Sequence, residues 1–119
     1  MTSPQPHPKR RALRVRLPGM PPATIRLEDG QRVSAKLQTV SVTGGLLQVL
    51  KPLSPGSVVE VMFLTHTGPV LGMAELLNPR SDARIGLQPF RFITLDDIDL
   101  QRLRSAIASS LHNELSDTA

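Results

Sequence analysis

The residues in this sequence whose types and spacing suggest chemistry are arginines and hydroxyls. Arg10 and Arg14 form an Arg-x-x-x-Arg pair, with Arg11 and Arg16 beside it. A guanidinium forks onto phosphate oxygens through parallel hydrogen bonds. Two of them on one short segment make a clamp for a phosphate-bearing ligand. Further along comes Thr39-Val40-Ser41-Val42-Thr43-Gly44-Gly45. On a strand, residues two apart share a face, so the hydroxyls of Thr39 and Ser41 point the same way. Gly44 and Gly45 permit positive φ and close backbone approach to a ligand. Plainer accounts exist for both elements. Thr39 and Ser41 are also what ties down a turn at a strand end, and a basic segment also serves as a solubilising tail or a general polyanion contact.

Other chemistries find little support. The chain has no cysteine, which removes disulfides, thiolate metal sites and cysteine nucleophiles together. It has neither a Gly-rich phosphate loop nor a Gly-x-Ser-x-Gly elbow. His7, His66 and His112 are scattered without ligand spacing, so no metal site and no cofactor are expected. Glu60 and Glu75 fall in predicted strands, where a solvated face explains each more simply than a catalytic pair. The expectation is a binding module and not an enzyme. Nucleic acid is a poor fit as partner: single-strand binders stack bases on aromatic platforms, and here Phe63, Phe90 and Phe92 occupy core-like positions with no Tyr or Trp. No apolar run is long enough to cross a bilayer and residues 1–16 carry no signal-peptide stretch, so a cytoplasmic protein without membrane insertion is expected.

Charge and pattern divide the 119 residues. Lys9, Arg10, Arg11, Arg14 and Arg16 crowd into one segment, out of 14 Lys and Arg against 10 Asp and Glu; the remainder is close to neutral. Residues 1–8 read as a disordered tail and 9–22 as a flexible basic arm, because repeated prolines forbid regular helix. From residue 23 to 115 the pattern is that of a small all-β domain with a C-terminal helix. Ile25 and Leu27 alternate with polar residues before an Asp29-Gly30 hairpin turn, and Val33, Ala35 and Leu37 alternate beyond it. Residues 46–50, 58–64, 70–77 and 84–93 supply four more short strands, with Pro89 expected at an edge or bulge. Six strands with regular turns predict a six-stranded antiparallel β-barrel. Leu100, Leu103, Ile107 and Leu111 then repeat on one helical face, capped by Thr94 and preceded by Asp96, Asp97 and Asp99 at the dipole's positive end. This helix either closes the barrel or docks a partner. Residues 116–119 read as a frayed tail.

With these elements in order, the sequence resembles the PilZ family, small barrels that act as receptors for the bacterial second messenger cyclic di-GMP. The family signature is Arg-x-x-x-Arg followed by Asp/Asn-x-Ser-x-x-Gly. Its first part matches Arg10 and Arg14, and its second matches Thr39, Ser41 and Gly44. The likeness extends through Leu46-Leu47, Pro52-Leu53 and Pro55-Gly56 to the closing helix, over about residues 9–111. The resemblance implies that Arg10 and Arg14 hold the ligand's phosphates and guanines, that Ser41 is a polar contact and that Gly44 shapes the turn. Arg11, Arg16 and Gly45 are accessory candidates. It also implies that ligand binding orders the arm into a surface for a protein partner. Thr39 departs from the signature: a carboxylate accepts two bonds from a guanine edge and a hydroxyl makes one, and a bidentate base contact is worth about 1–3 kcal/mol. Two outcomes follow, a cyclic di-GMP receptor with altered contacts or a degenerate adaptor that binds no nucleotide and works through protein contacts.

Overall fold

The computed structural model describes residues 13–79 and 86–117, with side chains as far as His112. Alternation sets the architecture. Ala23 and Ile25 lie in β1 (Pro22–Arg26), and Ala35, Leu37 and Val40 in β2 (Arg32–Ser41). Leu47 and Val49 belong to β3 (Gly44–Val49), and Val59, Val61 and Phe63 to β4 (Val58–Thr65). Val70, Ala74 and Leu76 come from β5 (Gly68–Leu76), and Phe90 from β6 (Gly86–Leu95). All of these side chains are buried in one core, while their sequence neighbours on the strands mostly face outward. The strands close into an antiparallel barrel in the order β1-β2-β3-β6-β5-β4.

Asp29-Gly30 does turn the chain, inside a wider connection from Leu27 to Gln31. Gly30 has φ 89°, and Asp29 Oδ1 accepts the Gln31 N–H at 3.0 Å.

Helix α1 (Asp97–Asp117) lies against β5 and β4, burying Leu103, Ala106 and Ile107 against the core and half-burying Leu100 and Leu111. The cap is Asp96 and not Thr94: the Asp96 carbonyl accepts the first helical N–H, from Leu100, at 2.9 Å, while Thr94 still belongs to β6. Asp99 has a further task beyond the dipole, since its Oδ1 accepts the Leu71 N–H at 3.0 Å. Arg102 donates to the Pro69 carbonyl at 2.9 Å, so the helix start is pinned to β5.

Pro89 corrects the edge-or-bulge expectation, because a closed barrel offers no edge. Its carbonyl accepts from Leu77 at 2.9 Å, just past the end of β5. The N–H that a proline lacks would have returned to the Leu77 carbonyl. The Gln88 side chain supplies that bond instead, Nε2 donating to Leu77 O at 2.6 Å while Oε1 accepts the Leu53 N–H at 3.0 Å.

Candidate functional site

The basic arm is docked on the barrel from Val15 onward. Val15 and Val40 exchange both backbone hydrogen bonds at 2.9 Å, an antiparallel pair that extends the pairing of β2. Both valines are buried, as is Leu17, so Arg14 and Arg16 project outward by the alternation of the strand and are exposed. One residue either side of the bridge, Arg14 lies opposite Ser41 and Arg16 opposite Thr39. The two sequence motifs therefore meet. The freedom expected of residues 9–22 does not extend to Val15 and Leu17, which are core residues. The signal was present as the two-residue period of Arg14-Val15-Arg16-Leu17, beside the prolines that suggested extended, solvated chain.

Beyond Leu17 the chain bends through Pro18, Gly19 at φ 75° and Met20 at φ 46°, then returns to β2 where Leu37 donates to the Pro21 carbonyl at 2.9 Å. The helix holds the arm from the other side: Ser110 Oγ, itself buried, donates to the Arg16 carbonyl at 2.8 Å.

β2 and β3 are joined by the two-residue turn Val42-Thr43. Ser41 Oγ accepts the Thr43 N–H at 3.2 Å, donates to the Gly44 carbonyl at 3.3 Å and lies 3.0 Å from Thr43 Oγ1. Its side chain is thus spent on the turn, and the residue is 2% exposed. Thr43, which sequence reasoning passed over, carries the solvent-facing hydroxyl of this hairpin. Thr39 Oγ1 is buried with no hydrogen-bond partner among the described residues. Leaving such a group unpaired costs about 1–3 kcal/mol.

The glycines act differently from expectation. Neither Gly44 nor Gly45 has positive φ. A Cβ on Gly44 would meet the Phe90 carbonyl oxygen at 2.2 Å, and one on Gly45 the Thr39 carbonyl oxygen at 2.4 Å. Both are needed where neighbouring backbone crowds β3, and Gly44 serves the turn through its carbonyl and not through a positive φ.

Arg10 and Arg11 lie outside the described residues; Arg14, Arg16, Thr39, Ser41, Gly44 and Gly45 are brought together. Glu60 and Glu75 are not paired with each other: Glu60 lies 3.8 Å from Arg26, and Glu75 is ion-paired with Arg91. Arg14 and Arg16 make no ion pair with the described residues, which leaves two cations available for an anion.

No protein-family model and no curated protein matches this sequence. Solved structures do. The PilZ domain with cyclic di-GMP of YcgR from Escherichia coli superposes with a TM-score of 0.72 at 18% identity, over 93% of this chain and 99% of that one. The PilZ domain of CeSA from a cellulose-synthesizing bacterium gives 0.59 at 20% identity, over 87% and 99%. The Bacillus subtilis inhibitor of motility, MotI/DgrA, gives 0.68 at 16% identity, over 87% of this chain and 53% of that one. The chain thus spans a whole isolated PilZ domain and about half of a longer protein such as MotI. No helix among the described residues is long and apolar enough to cross a membrane. The chain has the fold of the PilZ domains, a closed six-stranded antiparallel barrel with a C-terminal helix.

Proposed function

We propose that this chain is a non-enzymatic module that binds cyclic di-GMP at the arm–hairpin junction and signals to a protein partner. The observation that carries the proposal is the Val15–Val40 pairing, which sets Arg14 and Arg16 beside Ser41 and Thr39. It is supported by the lack of carboxylate partners for those two arginines among the described residues. The fold shared with a PilZ domain solved with cyclic di-GMP adds to it.

Arg10 and Arg14 act as the phosphate clamp, with Arg11 and Arg16 assisting. Thr39, Ser41, Gly44 and Gly45 form the wall against which the ligand rests, with the Thr43 hydroxyl at its surface. Binding involves no bond made or broken. Because Ser110 holds the Arg16 carbonyl, a ligand that draws on the arm also loads the helix, a route from site to partner surface.

The nucleotide-free adaptor is favoured by one specific observation, the commitment of the Ser41 hydroxyl to its own turn. Amide NMR during titration with cyclic di-GMP separates the two. The receptor predicts shifts concentrated at residues 14–16 and 39–44, and about tenfold tighter binding in Thr39→Asp, where a carboxylate adds the second bond to a guanine edge. Unchanged shifts across those residues would leave the adaptor.

A further inference from the structure

The outer face of the barrel carries a cation that neither motif includes. Gly44 registers with Ser41 on one side and with Arg91 on the other, and Arg91 registers with Glu75. With Arg14 opposite Ser41, these residues make a single row, Arg14–Ser41–Gly44–Arg91–Glu75, running across the arm, β2, β3, β6 and β5. Arg91 points outward, since its neighbour Phe90 is buried in the core and Arg91 itself is exposed. Gly44 contributes no side chain and the Ser41 hydroxyl is committed to its own turn, so no free polar side chain stands between the two arginines. Counted along the curved sheet, their backbones lie three strand spacings apart, about 14 Å of path.

Next to Arg91 a groove of about 420 Å³ opens at the barrel rim. Its lining is mostly apolar, with Val42, Phe92, Leu95 and Leu100 among it, and Thr43, Thr94 and Arg91 are its polar residues. The hydroxyls of Thr39 and Ser41 are buried, whereas Arg91, Thr43 and Thr94 are exposed polar residues at the groove, and Arg91 is the charged one among them. Arg91 donates through one terminal nitrogen to Glu75 Oε1. That pairing orients the planar fork while leaving other N–H donors unspent. A mostly apolar groove with an oriented guanidinium at its side suits a flat base whose edge accepts two hydrogen bonds, and guanine offers O6 and N7 in that arrangement.

We propose that Arg91 reads one guanine of the bound cyclic dinucleotide, forking onto its O6 and N7 while the base lies in the rim groove and Arg14 holds phosphate at the other end of the row. The proposal rests on the receptor reading and adds a base-specifying residue to it. Glu75 is the positioning residue for Arg91.

The test compares cyclic di-GMP and cyclic di-AMP binding to the full chain and its variants by calorimetry. Adenine presents a donor where guanine presents O6. Arg91→Ala is therefore expected to lose about tenfold or more in cyclic di-GMP affinity and to narrow the preference over cyclic di-AMP by a similar factor. Arg91→Lys, which keeps the charge without the fork, should lose the preference as well. Arg14→Ala should weaken both ligands alike. A general structural loss would not change the guanine-to-adenine ratio, and thermal melting checks that each variant is folded. If the parent binds cyclic di-GMP and Arg91→Ala matches it in affinity and preference, this proposal is overturned and the receptor stands. A parent that binds no cyclic di-GMP overturns both.

Discussion

Gln88 and Thr39 are both strand residues with a buried polar group, and they are buried on opposite terms. At the β5–β6 end, Gln88 is fully enclosed, and its amide replaces the hydrogen bond that Pro89 cannot make while also accepting from Leu53. At the arm–hairpin junction, Thr39 Oγ1 is shut away with no partner among the described residues. Buried polar groups are nearly always paired, and exceptions cluster where function is maintained at some cost to stability. In the first region the buried amide is paired at both its oxygen and its nitrogen. The second carries unspent polar capacity beside two exposed arginines, and the contrast singles it out.

Four substitutions probe this difference. Gln88→Ala should destabilise most, by about 3 kcal/mol in urea unfolding, because it orphans the Leu77 carbonyl and the Leu53 N–H and leaves a void. A loss below 1 kcal/mol would mean that water satisfies those groups. Arg14→Ala should reduce cyclic di-GMP affinity by about 2–3 kcal/mol, as expected for charge-assisted bonds, with little change in melting temperature since the side chain is exposed. Equal affinity in the variant would remove Arg14 from the clamp. Gly44→Ala should cost about 2 kcal/mol of folding stability through its clash with the Phe90 carbonyl, with or without ligand. Thr39→Val should raise stability by about 1 kcal/mol, since it deletes a hydroxyl that has no partner. A decrease of that size in the same unfolding assay would show that Thr39 is satisfied after all, and the contrast with Gln88 would fall.

The fold was largely legible because alternation is a local signal. Ile25, Val33, Ala35 and Leu37 announce their strands, and Leu103 and Ile107 their helix, without knowledge of any neighbour. What escaped depended on partners distant in sequence. Gly44 and Gly45 looked like turn residues, yet what demands glycine there is chain crowding β3 from either side, Phe90 at one position and Thr39 at the other. Pro89 looked like an edge marker because nothing local reveals that Gln88 repairs the missing bond. The meeting of the two arginine and hydroxyl motifs was legible as a pair of motifs in order. The means of bringing them together, Val15 paired with Val40, was hidden among prolines. The place of Arg91 beside Gly44 gave no signal at all, because it depends on the strand order β3-β6, which sequence spacing does not encode.

The central claim, that the junction receives a cyclic dinucleotide, is tested most directly by calorimetric titration of the full chain with cyclic di-GMP, using GTP as control. Saturable binding of cyclic di-GMP, with none of GTP, is the predicted result. The absence of heat at high ligand concentration, together with unchanged amide shifts at residues 14–16 and 39–44, would contradict it.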